Sequence, residues 1–178
     1  MYVYTCNLHQ HLKAMGLEEE IKQKEFKNKQ QRAFLNLIFT AGHLSLAQTR
    51  FFKPYHLSAQ QYNVLRILRG QNGNPVTIGL IQERMLDIQS NASRLIDKLE
   101  EKKLVLRIVC PKDKRQMDIT ITQDGLEILK ELDDKLDSNE NRIILTDQEA
   151  DTLNDLLNKI REKNNRQYAP DASGGNKK

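Results

Sequence analysis

Two alternating β-branched runs, Leu104 to Val109 and Met117 to Ile121, sit inside a chain whose remaining periodicity is helical. The hydrophilic segment Cys110-Pro111-Lys112-Asp113-Lys114-Arg115-Gln116 joins them and reads as a hairpin tip. Just upstream lie two short helical patterns. Thr77 stands where it can cap the first, which runs through Ile81 and Met85. Asp87 to Ser90 reads as a turn, and Asn91 to Lys102 as a second helix with Ala92, Leu95, Ile96 and Leu99 inward. Two short helices on a tight turn make a helix-turn-helix candidate. The hairpin that follows supplies a wing.

The flanks are helical. From Glu18 to about Phe52 the apolar positions Phe34, Leu37, Ile38, Ala41 and Leu44 follow a helical spacing. The half from Glu18 to Arg32 is almost wholly polar, so it is expected to project or to pack on a partner chain. Pro54 ends that pattern. Ser58 and Gln61 have the spacing of a capping box, with Leu57 and Tyr62 at the staple positions, and Leu65 and Leu68 continue a buried face. Gly70 to Pro75 is a turn-rich loop. Thr122 heads a long helix carrying Leu126, Leu129, Leu132 and Leu136; Thr146 with Glu149 opens a last one carrying Leu153, Leu156, Leu157 and Ile160. The expected fold is therefore mainly α with a small two-strand β-wing: a winged helix-turn-helix domain over residues 57–122 and a helical dimerisation arm from residues 18–56 and 123–164. Residues 1–17 lack a clean period and are expected to be a poorly ordered extension; residues 165–178 are polar and Gly-rich and are expected to be a disordered tail.

Composition bears on two points. At 178 residues the chain has room for one well-buried core, yet 38% hydrophobic against 29% charged is low for a compact monomer. Either a helical arm is exposed or a second copy completes the core. The first helix and the two C-terminal helices carry apolar stripes that a small winged domain cannot cover, which favours a homodimer. The net charge of +4 is modest, but its distribution is not even. Between Gln89 and Gln116 stand Arg94, Lys98, Lys102, Lys103, Arg107, Lys112, Lys114 and Arg115, opposed only by Asp97, Glu100, Glu101 and Asp113. The next stretch, with Asp124, Glu127, Glu131, Asp133, Asp134, Asp137 and Glu140, is acidic. That polarity favours an anionic partner for the middle third.

Other classes fit poorly. No run approaches the roughly 18 apolar residues of a membrane span and no secretory signal is apparent, so a cytoplasmic protein is expected. Cys6 and Cys110 lie far apart, His9 and His11 form a weak pair, and His43 and His56 stand alone, so no metal site and no cofactor is expected. Without a Gly-rich phosphate loop or a paired nucleophile and base, the chain is not expected to be an enzyme.

At this point the sequence resembles the MarR family of bacterial winged helix-turn-helix transcriptional regulators, from about residue 30 to residue 162. Leu57-Ser58-Ala59-Gln60-Gln61-Tyr62-Asn63-Val64-Leu65 looks like that family's second helix, and Asn91 to Glu100 looks like its recognition helix. Asp113-Lys114-Arg115, followed by Ile119-Thr120-Ile121-Thr122-Gln123-Asp124-Gly125, looks like its wing signature of D-x-R, a strand and a T-x-x-G helix start. The order and spacing of these pieces carry the specificity. One departure is Lys103, where the family usually holds Gly; a left-handed cap at modest cost is expected there.

Base edges in the major groove are read by hydrogen bonds from the first turns of a helix. Gln89, Ser90, Asn91, Ser93 and Arg94 supply the donors and acceptors, Asn91 suiting adenine and Arg94 guanine or phosphate; Lys98 suits the backbone. Ser90 and Asn91 are also ordinary helix caps, and both roles can coexist. The resemblance implies that the wing, with Lys112, Lys114 and Arg115, enters the minor groove and that Asp113 orients Arg115. It further implies a homodimer that represses transcription from an inverted-repeat operator. A small aromatic or anionic effector is a further implication, with Phe39, His43, Arg50, Tyr55, Tyr62 and Arg66 as candidate pocket residues. The rival reading is a winged-helix protein-interaction module that binds no DNA.

Overall fold

Asn28 decides where the long first helix begins. In the computed structural model, which describes residues 16–109, 117–137 and 145–168, Asn28 is extended and its side chain accepts the amide of Gln31. The Gln31 side chain in turn accepts the Lys27 amide at 2.7 Å. Upstream, α1 (Leu17–Glu20) is one turn long and breaks at Lys22, whose φ is +55°. The single helical pattern expected from Glu18 is thus two helices, α1 and α2 (Lys29–Phe52). A side-chain cap inside a polar run outcompetes propagation. The polar half does not project freely either: Arg32 folds back to donate through Nε and Nη2 to both carboxylate oxygens of Glu18, and Leu17 is buried. Leu17 therefore belongs with the ordered chain rather than with a loose extension.

Contacts divide the chain into two compact units, residues 1–129 and 130–178. In the first, α2 passes into a 3-10 turn (Lys53–Tyr55) at Pro54, and His56 turns left-handed at φ +53° to redirect the chain. The Ser58–Gln61 capping box is complete and opens α3 (Ala59–Arg69), which buries Tyr62, Val64, Leu65 and Leu68. After the loop, β1 (Val76–Thr77) leads directly into α4 (Ile78–Arg84), and α5 (Ala92–Glu101) follows the turn. The strands β2 (Val105–Val109) and β3 (Met117–Ile121) pair antiparallel with Val105 opposite Ile121 and Val109 opposite Met117. β1 pairs with the other side of β3, Val76 opposite Ile119. The wing is therefore a three-stranded sheet in the order β1-β3-β2, not a two-strand hairpin. A two-residue strand has no period for the sequence to display.

The core lies where α3, α4 and α5 meet one face of this sheet. Leu65, Leu68, Ile81, Ile96, Leu99, Val105 and Ile119 are fully buried there. The start of α6 (Gln123–Asp137) is fixed by two residues. Thr122 donates its hydroxyl to the Lys103 carbonyl at 2.8 Å while accepting the Gly125 amide at 3.0 Å. A Cβ on Gly125 would stand 2.4 Å from the Leu104 carbonyl oxygen and 2.7 Å from Ile121 Cγ1. Only glycine fits that approach, which is the physical content of the T-x-x-G pattern.

In the second unit, Thr146 and Glu149 form their capping box: the Thr146 amide donates to Glu149 at 2.8 Å. α7 (Asp147–Tyr168) then runs a turn beyond Asn164, so part of the expected tail is helical. Leu153, Leu156 and Ile160 on α7 are exposed, as are Phe34, Ile38, Leu44 and Leu46 on α2. Among the described residues no helix is long and apolar enough to cross a membrane.

Candidate nucleic-acid interface

α4 and α5 are locked together by side chains that stand in for missing helical partners. The Thr77 hydroxyl accepts the Leu80 amide at 3.1 Å at the start of α4. Gln82 reaches across so that its Oε1 accepts the Ala92 amide at 3.0 Å, one of the unsatisfied donors at the start of α5. Between the helices, Asp87 holds the turn. Its carbonyl accepts the Ser90 amide at 3.1 Å. Its carboxylate accepts the Ser90 hydroxyl at 2.8 Å, the Gln89 amide at 3.1 Å and Gln60 Nε2 at 3.3 Å. These bonds, the Ser90 hydroxyl first, hold the Asp87 carboxyl below its ordinary pKa. Asn63, also on α3, accepts the Leu86 amide at 2.9 Å. The turn is thus braced from α3 and does not stand alone.

α5 is capped by Asn91, whose Oδ1 accepts the Arg94 amide at 3.1 Å. Ala92, Ile96 and Leu99 are buried at helical spacing, with Leu95 half-buried beside them. This leaves Ser93, Arg94, Asp97 and Lys98 on the open side. The helix ends in a Schellman motif: the Leu104 amide donates to the Leu99 carbonyl at 2.9 Å and the Lys103 amide to Glu100 at 2.8 Å. Lys103 takes the left-handed position with φ +61°, as expected for the residue standing in place of Gly.

The charges are sorted on the same helix. Arg107 on β2 donates to Asp97 and lies 3.5 Å from Glu100, so these two carboxylates of α5 are paired. Lys102 turns away from the open side and donates to the His56 carbonyl; burial pushes its pKa down. Arg94 and Lys98 remain exposed one turn apart.

Of the residues expected to read DNA, Gln89, Ser90, Asn91, Ser93, Arg94 and Lys98 come together on the turn and the first two turns of α5. Ser90 is half-buried with its hydroxyl on Asp87, and Asn91 uses its carbonyl oxygen in the cap, so both have the structural role as well. Lys112, Asp113, Lys114, Arg115 and Cys110 lie outside the described residues. The expected effector residues fall into two groups. Phe39 and His43 stack at 4.3 Å on α2. Tyr62 packs on Phe52 at 4.8 Å, with Arg66 over its ring at 5.9 Å, and Tyr55 sits 6.4 Å from Phe51. Arg50 is exposed, and helical rise puts it about 16 Å along α2 from Phe39. Sequence reasoning missed Gln82 and Asn63, and the pairing of Arg107 with Asp97 and Glu100, all of which act across elements. It also passed over Leu86 and Ile88, apolar residues in the turn that are almost fully exposed.

Residues 57–117, from the staple leucine to the first residue of β3, match the model of the MarR family. Among solved structures, a MarR transcription factor from Planctomyces limnophilus is 29% identical, the match covering 78% of this chain and 99% of that one with a TM-score of 0.55. A mutant MarR from E. coli complexed with operator DNA is 21% identical over 77% of this chain and 99% of that one, TM-score 0.64. CouR from Rhodococcus jostii RHA1, bound to p-coumaroyl-CoA, is 22% identical over 76% and 95%, TM-score 0.60. These last two share the fold.

Proposed function

We propose that this chain, whose residues 57–117 match the model of the MarR family, is a transcriptional regulator that binds a specific inverted-repeat operator as a homodimer. The observation that carries this reading is the open side of α5. Arg94 and Lys98 are exposed there beside Asn91 and Ser93, while the Asp97 and Glu100 carboxylates are engaged by Arg107 and that of Asp87 by Ser90. Such a face suits an anionic duplex, with base edges read by Gln89, Ser90, Asn91, Ser93 and Arg94 and the backbone held by Lys98. Lys112, Lys114 and Arg115 would add the minor-groove contacts, oriented by Asp113.

Dimerisation rests on a separate observation. Apolar residues lie exposed on α2, Phe34 and Ile38 sharing one face, and those exposed on α7 form a stripe that water would otherwise cover. A second copy is the simplest cover, with residues 18–56 and 123–164 as the arm. We further propose repression relieved by a small anionic or aromatic effector; among proteins of the same fold, the E. coli protein is complexed with operator DNA and CouR is bound to p-coumaroyl-CoA. The Tyr55, Tyr62 and Arg66 group is the effector's nearest candidate contact.

The test is selection of a duplex from randomised oligonucleotides by the purified protein, followed by mobility-shift titration over salt. The expected site has two symmetric half-sites about one helical turn apart, and log affinity falls steeply with log salt. Affinity that ignores salt and is unchanged by Arg94→Ala and Arg115→Ala would favour the protein-interaction module instead.

A further inference from the structure

Leu86 and Ile88 are 84% and 88% exposed, far more than any other large apolar side chain among the described residues. They are not at a loose end. Ile88 occupies the second position of the turn closed by the Ser90 amide on the Asp87 carbonyl at 3.1 Å. The Asp87 carboxylate braces both sides of that turn, and the Leu86 amide is held by Asn63 at 2.9 Å. Two apolar side chains are thus held out into solvent by hydrogen bonds that reach back to α3. Ile88 stands three residues before the Asn91 cap of the helix that carries Ser93 and Arg94. Arg84 on α4, and Arg94 and Lys98 on α5, are exposed on the two helices that the turn joins.

Resting on the DNA-binding reading, we propose that Ile88, with Leu86 beside it, reads thymine methyl groups in the major groove. The 5-methyl of thymine is the one apolar group that a base edge presents there. The surroundings decide between occupants. Two exposed side chains, on a turn between helices that carry Arg84, Arg94 and Lys98, are too small a patch for a stable protein interface, which needs on the order of 1,000 Å². They are the right size for one or two methyl groups. Phosphates satisfy the flanking cations while the methyl meets the isoleucine, so charge and apolar surface are matched by one ligand. Gln89 and Asn91 then report hydrogen-bonding atoms of the same or adjacent base pairs, and the turn contributes sequence information that polar side chains alone do not supply.

The experiment uses the duplex selected by the wild-type protein, with each thymine replaced in turn by uracil, which lacks only the methyl. Wild-type binding is expected to weaken about fourfold for each methyl that Ile88 or Leu86 covers, at fixed positions in each half-site. Ile88→Ala is expected to weaken binding to the thymine duplex and to abolish the uracil effect at its position, leaving the salt slope and thermal midpoint unchanged. Leu86→Ala is the companion variant. Uracil without effect at every position overturns the proposal, as does a uracil penalty that persists in both variants. Altered sedimentation of the free variants together with an intact uracil penalty assigns the pair to a protein contact and also overturns it. A selected duplex with no methyl effect removes this inference alone; failure to select any duplex removes the DNA reading beneath it.

Discussion

Lys103 and Gly125 face each other across one junction and illustrate opposite uses of the backbone. Lys103 is a side-chain-bearing residue in the left-handed region, where glycine is free of strain. Lys103→Gly is expected to stabilise the fold by about 0.5 kcal/mol, the relief of strain exceeding the extra entropy of the unfolded chain. Urea denaturation checks the sign. Gly125→Ala should do the reverse and cost about 3 kcal/mol, because its Cβ would meet a backbone oxygen that cannot yield; the same titration measures it. Asp87 gives a pH prediction. Its folded pKa lies below the ordinary value near 3.8, so its contribution to the turn is fully present above about pH 4 and is lost as pH falls through the lowered value. An NMR titration of the Gln89 and Ser90 amides should therefore show a midpoint below 3.8. Residues like these were readable where chemistry is local. The Ser58–Gln61 and Thr146–Glu149 pairs announce themselves by spacing, and Lys103 by its place after the helix. Leu86 and Ile88 were not, since an apolar residue beside a turn reads the same whether it faces in or out.

Elements were legible in proportion to their length. α3, α5, β2 and β3 are long enough to show a period, and their bounds fall within a residue or so of those expected. β1 exists only because Val76 meets Ile119, a pairing over forty residues away in the chain, and the break before α2 exists only because Asn28 caps it. Arg107 is a cross-element device of the same kind. It pairs Asp97 and Glu100 from the neighbouring strand, so removing it exposes two carboxylates on the helix that would meet DNA. Arg107→Met is expected to weaken DNA binding several-fold, and most at low salt, without touching DNA itself. Adding Asp97→Asn in that background should restore part of the loss. Mobility shifts at two salt concentrations separate this from simple unfolding, which would not be rescued.

For the molecule as a whole, the low apolar fraction pointed to missing cover, and the exposed face of α2 gives that shortage a location. Ile38→Glu is expected to leave a lone subunit nearly unchanged, since an exposed surface position tolerates charge. In a homodimer it buries an unpaired carboxylate, so sedimentation equilibrium should show monomer and operator affinity should collapse. A variant that stays dimeric and binds normally would move the interface off this face. What composition did not disclose was which cations are engaged: eight were counted in the middle third, and folding ties Lys102 to the His56 carbonyl and Arg107 to Asp97.

Thr77 is both the last residue of β1 and the cap of α4, so the sheet runs into the helix-turn-helix with no intervening linker. Helix pair and sheet consequently form a body without a joint at that seam. On the proposed DNA-binding reading, such a body would not adjust the pitch between its parts to suit each sequence it meets. A bound duplex would then supply the adjustment, and stiff or flexible base steps would raise or lower affinity at positions no side chain touches.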